Sequence, residues 1–134
     1  MIKWRVHLAS PPDVVHAFVA TDEGRARFWA ESTEDCGGKI EFRFPDGSRL
    51  QGRVLANDPP RFFALEYFGT RVEFELARDG EGGTEVTLVD ESDHPDTRAG
   101  WVSVLLALKG AADHGVDLRN HDSRRTWEQG FVDN

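Results

Sequence analysis

Of the side chains able to do chemistry, this 134-residue sequence carries five histidines and one cysteine, and their spacing narrows what they could do. His7, His16, His94, His114 and His121 show no His-x-x-x-His or Cys-His spacing, so no metal site is expected. Cys36 precedes Gly37-Gly38 with no histidine nearby, and reads as a strand-end thiol rather than a nucleophile. The segment Asp90-Glu91-Ser92-Asp93-His94-Pro95-Asp96 has carboxylate or imidazole side chains at five of its seven positions. It lacks the turn glycine and distal bidentate glutamate of a calcium loop, so it reads as a solvated loop whose Asp96 caps a following helix. No Gly-x-Ser-x-Gly segment, no Gly-x-Gly-x-x-Gly after a strand and no Walker-type loop is present. The phenol of Tyr67, with the imidazoles of His94 and His114, is what remains for acid–base work. No catalytic residue is assigned on this basis, and no cofactor is implied.

Charge excludes another class. Acidic residues outnumber basic ones 24 to 16, giving a formal charge of −8. Phosphate affinity needs clustered Lys and Arg, so nucleic acid is not an expected partner. The most apolar stretch, Trp101 to Leu108, is broken by Ser103 and followed by Lys109, far short of the ~20 residues of a membrane span. Charged residues from Lys3 onward argue against a signal peptide, and a single cysteine precludes an intrachain disulfide. Both point to the cytoplasm. Hydrophobic residues make up 39% of the chain, with nine Phe and four Trp, enough for one domain with a bulky core.

The elements that must position these groups follow from periodicity. Ile2, Trp4, Val6 and Leu8 alternate with Lys3, Arg5 and His7, a half-buried strand. Ser10-Pro11-Pro12-Asp13 reads as a helix start with Ser10 as cap, and Val14, Val15, Phe18 and Val19 follow at helical spacing. A second short helix fits Asp22 to Ala30. From Glu31 the pattern turns to strands. Ile40, Phe42 and Phe44 alternate, Pro45-Asp46-Gly47-Ser48 closes a hairpin, and Arg49 to Ala56 returns. Phe63, Leu65 and Tyr67 share a face, as do Val72, Phe74 and Leu76, and Thr84, Val86 and Leu88. This predicts six or seven antiparallel strands. Trp101, Val104, Leu105, Leu108, Ala111 and Ala112 then recur every three or four residues, predicting an amphipathic helix of about 18–22 residues that begins near Asp96 or Thr97. A long helix and a curved sheet each have an apolar face to cover. Laying one across the other covers both and tends to leave a cavity between them.

Several segments, in order, carry a resemblance. Ser10-Pro11-Pro12-Asp13-Val14-Val15-His16-Ala17-Phe18 resembles the opening of the START-like, or SRPBCC, superfamily. Phe28-Trp29, Asp46-Gly47, Gly52-Arg53-Val54-Leu55, Asp58-Pro59-Pro60-Arg61, Gly83-Thr84-Glu85-Val86-Thr87-Leu88 and Gly100-Trp101 are similar to the family named for the activator of the heat-shock protein 90 ATPase. The match covers about residues 4–112. It implies an α+β helix-grip fold: a curved antiparallel sheet of about seven strands around a long C-terminal helix, with two short helices after the first strand. A fatty-acid-binding barrel is the competing fold, but it ends in strands rather than a helix.

One domain is expected over residues 1–134, with a core at 2–115 and a tail at 116–134. By alternation Trp29, Phe42, Phe63, Leu65, Tyr67, Phe74, Val86, Trp101, Leu105 and Leu108 face the space between sheet and helix, whereas Glu66, Glu73, Glu75 and Arg71 point outward. All of these inward residues but Val86 are candidates to line a pocket for a small hydrophobic or aromatic molecule, with Tyr67 and Trp101 foremost. Core packing is the competing role for each. Two other functions follow from the resemblance: a chaperone-linked interaction domain, and a cyclase- or hydratase-type enzyme whose one favoured residue is Tyr67. In the tail, Arg119, His121, Arg124, Arg125 and Trp127 offer recognition of a partner or an anionic ligand; the favoured reading is that Trp127 and Phe131 pack onto the body or onto a second copy in a homodimer, with the arginines offsetting local acidic charge.

Overall fold

The alternation seen in the sequence becomes seven strands in one sheet. The structure, a computed structural model, describes residues 1–134. Strand β1 (Ile2–Leu8) leads into helices α1 (Pro12–Ala20) and α2 (Asp22–Arg25). Strands β2 (Ser32–Cys36), β3 (Lys39–Arg43), β4 (Arg49–Asp58), β5 (Phe62–Tyr67), β6 (Thr70–Arg78) and β7 (Thr84–Asp90) form a meander, and helix α3 (Pro95–His114) follows. The sheet order is β1-β7-β6-β5-β4-β3-β2, antiparallel at every junction. Each strand therefore neighbours the next in sequence, except that β1 closes onto β7. No helix is long and apolar enough to cross a membrane.

Register explains which side chains reach the interior. Phe63 pairs with Phe74, Phe74 with Leu88, and Leu88 with Trp4, so one row of large apolar residues crosses four strands on a single face. Phe42 lies opposite Leu50, and its ring packs over Gly52, whose absent Cβ would stand 3.2 Å from Phe42 Cε1 and 2.7 Å from the Glu66 carbonyl. A side chain at position 52 would push the ring off the sheet. Helix α3 lies over this face and buries Trp101, Leu105, Ala107, Leu108 and Ala111.

Several local expectations change. Ser10 does not cap α1. Pro11 occupies the N-cap without a side-chain bond, and Ser10 Oγ instead donates to Asp113 Oδ1 at 2.7 Å and to the Ala112 carbonyl at 2.9 Å, joining the start of α1 to the end of α3. Helix α2 stops after four residues, and residues 26–31 form a turn-rich connection rather than helix. Its Arg25, fully buried, donates to the Val19 carbonyl, to Thr33 Oγ1 and to Asp22 Oδ1, so a local side-chain network replaces the missing helical turns. Helix α3 is capped by His94, whose Nδ1 accepts from the Asp96 amide at 3.2 Å, and not by Asp96. It ends at Gly115, whose left-handed φ of 64° suits a glycine stop. The return strand β4 runs two residues past Ala56 to Asp58.

Candidate functional site

Of the nine pocket candidates, Phe42, Phe63, Leu65, Phe74, Leu105 and Leu108 are buried, as are Trp29 at 5% exposure and Trp101 at 3%, while Tyr67 is half-buried. The structure brings five of them into one aromatic cluster between sheet and α3. The Trp29 ring centroid lies 5.1 Å from Phe42, 5.2 Å from Tyr67, 5.5 Å from Phe74 and 5.6 Å from Trp101, in tilted or edge-on contacts. Tyr67 in turn stands 5.1 Å from Phe42 and 5.5 Å from Trp101. These are packing distances, so the rings occupy the space they enclose.

Two residues outside the nine candidates extend this cluster to the surface. Phe44 stacks on Phe42 at 6.2 Å, and Phe68 stacks on Phe44 at 6.1 Å and meets Tyr67 edge-on at 4.8 Å. Phe68 is 64% exposed and sits at φ 49° in the two-residue turn between β5 and β6. With Gly69 at φ 77° this is the mirror-image turn favoured in hairpins, whose first position prefers Asn or Gly. A phenylalanine there carries backbone strain and exposes an apolar ring, a combination that concentrates at functional sites.

The polar groups around the cluster are unevenly satisfied. Trp101 Nε1 donates to Asp90 Oδ2 at 2.8 Å, and Asp90 Oδ1 accepts from Thr70 Oγ1 at 2.8 Å and from the Ser92 amide at 2.9 Å. Asp90 is only 1% exposed, a correction to its place in the solvated acidic loop: it is the last residue of β7 and shares the inward parity of Val86 and Leu88. That parity was present in the sequence but was masked by the acidic run that follows. The phenol of Tyr67 is pushed well above its ordinary range by burial, with the Asp90 charge acting in the same direction. The nearby Trp29 indole opposes this, by more than the Asp90 charge adds, although its N–H does not reach hydrogen-bonding geometry. Tyr67 therefore stays protonated and can only donate or accept a neutral hydrogen bond. Trp29 Nε1 is the one buried side-chain polar atom with no partner.

His94 and His114 do not join this cluster; both are exposed, one capping α3 and the other closing it. No group of three or more His, Cys, Asp or Glu side chains is arranged to hold a metal ion. Two surface depressions, of about 640 and 560 Å³, lie elsewhere. One is bounded by Pro12, Pro60, Arg61 and Phe62, the other by Val14, Phe18, Thr21 and Gly24, and none of the nine candidates lines either.

The tail returns along α3. Leu118 packs against Gly110, and Trp127 approaches Gly100. Arg119, its side chain 6% exposed, donates to the carbonyls of Ala26 at 2.8 Å and Ala30 at 2.9 Å. His121 bridges Glu31 Oε1 at 2.5 Å and Asp117 Oδ2 at 2.7 Å. Partial burial of Asp117 disfavours its charge, but bonds from Arg119 and His121 outweigh this and hold its carboxyl down to about 2. Arg124 and Arg125 pair with Asp122 within the tail itself.

No protein-family model matches the sequence, and no curated protein matches it. Solved structures do match in fold. A protein from Staphylococcus saprophyticus is 21% identical, with 88% of this chain and 95% of that one covered and a TM-score of 0.79. The Aha1 dimer from Colwellia psychrerythraea is 23% identical, with 85% and 96% covered and a TM-score of 0.74. DynU16, from the dynemicin biosynthetic locus, is 18% identical over 87% of this chain, with a TM-score of 0.72, although the match spans 48% of that chain. Seven antiparallel strands, two helices after the first strand and a long closing helix give this chain a helix-grip fold, similar to that of the Aha1 structure.

Proposed function

We propose that the protein binds a small, uncharged hydrophobic or aromatic molecule at the cluster of Trp29, Phe42, Phe44, Tyr67, Phe68 and Trp101. The observation that carries this reading is the Trp29 indole N–H, buried among rings with no acceptor. Leaving such a donor unpaired costs about 1–3 kcal/mol, and a ligand acceptor would recover it. The protonated Tyr67 phenol supplies a second neutral handle, and the buried Asp90 carboxylate disfavours an anion. The exposed ring of Phe68 makes an apolar lip on the same cluster. A cytoplasmic setting fits the lone, exposed thiol of Cys36. The test is titration with N-phenyl-1-naphthylamine, a neutral fluorescent aromatic amine, read by energy transfer from tryptophan. Saturable binding that weakens in Trp29→Phe is expected. A lack of saturation, or equal affinity in that variant, overturns the reading.

A second reading, an interaction domain that pairs with a copy of itself or with a chaperone, is favoured by the dimeric state of the Colwellia structure. In this chain Val102 and Leu106 stand exposed on the outer face of α3 and would supply an apolar contact. Sedimentation equilibrium of wild type and Leu106→Glu tests self-association, and stimulation of a chaperone ATPase tests the other partner.

A further inference from the structure

We infer that residues 117–127 form a releasable strap that closes the seam between α3 and the connection over residues 26–31, and so controls entry to the aromatic cluster. This rests on the ligand-binding reading above. The two tryptophans at the centre of the cluster come from opposite sides of that seam, Trp101 from α3 and Trp29 from the connection after α2, and their rings meet across it at 5.6 Å. The tail bridges the same seam. On the α3 side Leu118 seats on Gly110, where a Cβ would stand 3.0 Å from Leu118 Cδ1, and Trp127 reaches Gly100, one residue before Trp101. On the other side Arg119 holds the carbonyls of Ala26 and Ala30, which flank Trp29, and His121 holds Glu31. Lifting the strap would free both walls without breaking any strand pairing.

The strap's grip depends on pH. The charged and titratable groups facing His121 are Glu31 from the connection and Asp117 and Arg119 from the tail itself. Partial burial and the Arg119 charge oppose protonation, but the bonds to Glu31 and Asp117 prevail and raise the imidazole above its ordinary value. A raised value means that the protonated form holds the strap. The His121 share of the grip is full below about pH 6.5, the free-imidazole value, and is lost as pH rises through the elevated one, while the Arg119 bonds to the Ala26 and Ala30 carbonyls persist. Asp117, held low, gives way only in strong acid. The strap therefore closes in mild acid and loosens toward alkaline pH.

The experiment uses the full chain and NMR hydrogen exchange of the Trp29 indole N–H, with the Phe74 and Leu76 amides of β6 as a measure of global opening. Arg119→Ala is expected to speed indole exchange by about tenfold or more, because it removes bonds from a charged donor. His121→Gln should speed it by roughly threefold at about pH 6 and hardly at all above the midpoint of the His121 imidazole's own NMR titration, where the wild-type side chain is also neutral. Should Arg119→Ala fail to fold, Gly110→Val displaces Leu118 and lifts the strap from the other side. Unchanged indole exchange while the tail amides speed up overturns the inference, as does equal acceleration in β6. If the seam opens as expected but the N-phenyl-1-naphthylamine affinity is absent or indifferent to it, the ligand-binding function fails and the strap's motion stands.

Discussion

Where the C-terminal half of α3 meets residues 7–10, the interior is aliphatic and every polar group nearby is paired. Leu8, Val15, Leu108 and Ala111 are buried there, Asp113 accepts from the Ala9 and Ser10 amides and from Ser10 Oγ, and Lys109 Nζ donates to the His7 carbonyl. Where the N-terminal half of α3 faces β5, β6 and β7, the interior is aromatic, one indole N–H is bonded to a carboxylate and another has no partner. The aliphatic residues are enclosed, whereas the aromatic end reaches the surface through Tyr67, Phe44 and Phe68. The two ends also differ in polar satisfaction, and that separates a region built to hold the fold from one that retains an unmet interaction. An aromatic-rich core alone would not make the distinction.

Four substitutions test this division, in order of expected effect. Leu108→Ala, at the aliphatic end and fully buried, should cost about 2–5 kcal/mol in urea unfolding, since transfer and cavity terms add. Its binding of N-phenyl-1-naphthylamine per folded molecule should stay as in wild type; a parallel loss would erase the contrast between the ends. Within the aromatic end, Trp101→Phe and Trp29→Phe remove the same atoms from rings of similar burial. Trp101→Phe should be the more destabilising by about 1.5–3 kcal/mol, because only it breaks a bond to a charged acceptor and leaves Asp90 Oδ2 unpaired. Equal losses would mean that the Trp29 donor is satisfied in solution. Smallest is Phe68→Asn, which restores a favoured Asn-Gly turn and should stabilise by up to about 1 kcal/mol while weakening the same probe. Stabilisation without loss of affinity would remove Phe68 from the site.

Much of this architecture was legible from local patterns. Alternation in Ile2–Leu8 and across β5–β7 marked the inward faces, and the three- and four-residue spacing from Trp101 marked α3. What escaped was set by contacts distant in sequence. Ser10 has the chemistry of a cap, but Asp113 offers it a stronger acceptor more than one hundred residues away. Asp22 to Ala30 has helical composition, yet Arg25 is drawn inward to Val19 and Thr33 and the helix ends there. Asp90 looked solvated because its neighbours are; its burial follows from strand parity and from an indole eleven residues on. The aromatic cluster was anticipated through Trp29, Phe42, Tyr67, Phe74 and Trp101; Phe44 shared the alternating face of Phe42 without being taken as a candidate, whereas Phe68, in a turn, came into it through ring stacking that no strand period encodes. Likewise, the tail's aromatics were expected to pack back, and Trp127 does, but the anchoring by Arg119 and His121 depends on carbonyls and a carboxylate about ninety residues earlier.

The pairing of β1 with β7 also bears on how the chain is made. Residues 2–8 leave the ribosome before the rest of the sheet, yet their only strand partner is residues 84–90. At about 5–20 residues per second, that partner follows some 4–16 seconds later. During the interval the stripe of Ile2, Trp4, Val6 and Leu8 has no sheet to join, while the meander from β2 to β7 can assemble hairpin by hairpin behind it. The lysine, arginine and histidine that alternate with that stripe keep its other face hydrated in the meantime, guarding the nascent segment against self-pairing. The earliest-made strand of this sheet is thus among the last to be placed, and its docking, followed by α3 laid across the finished sheet, completes the grip.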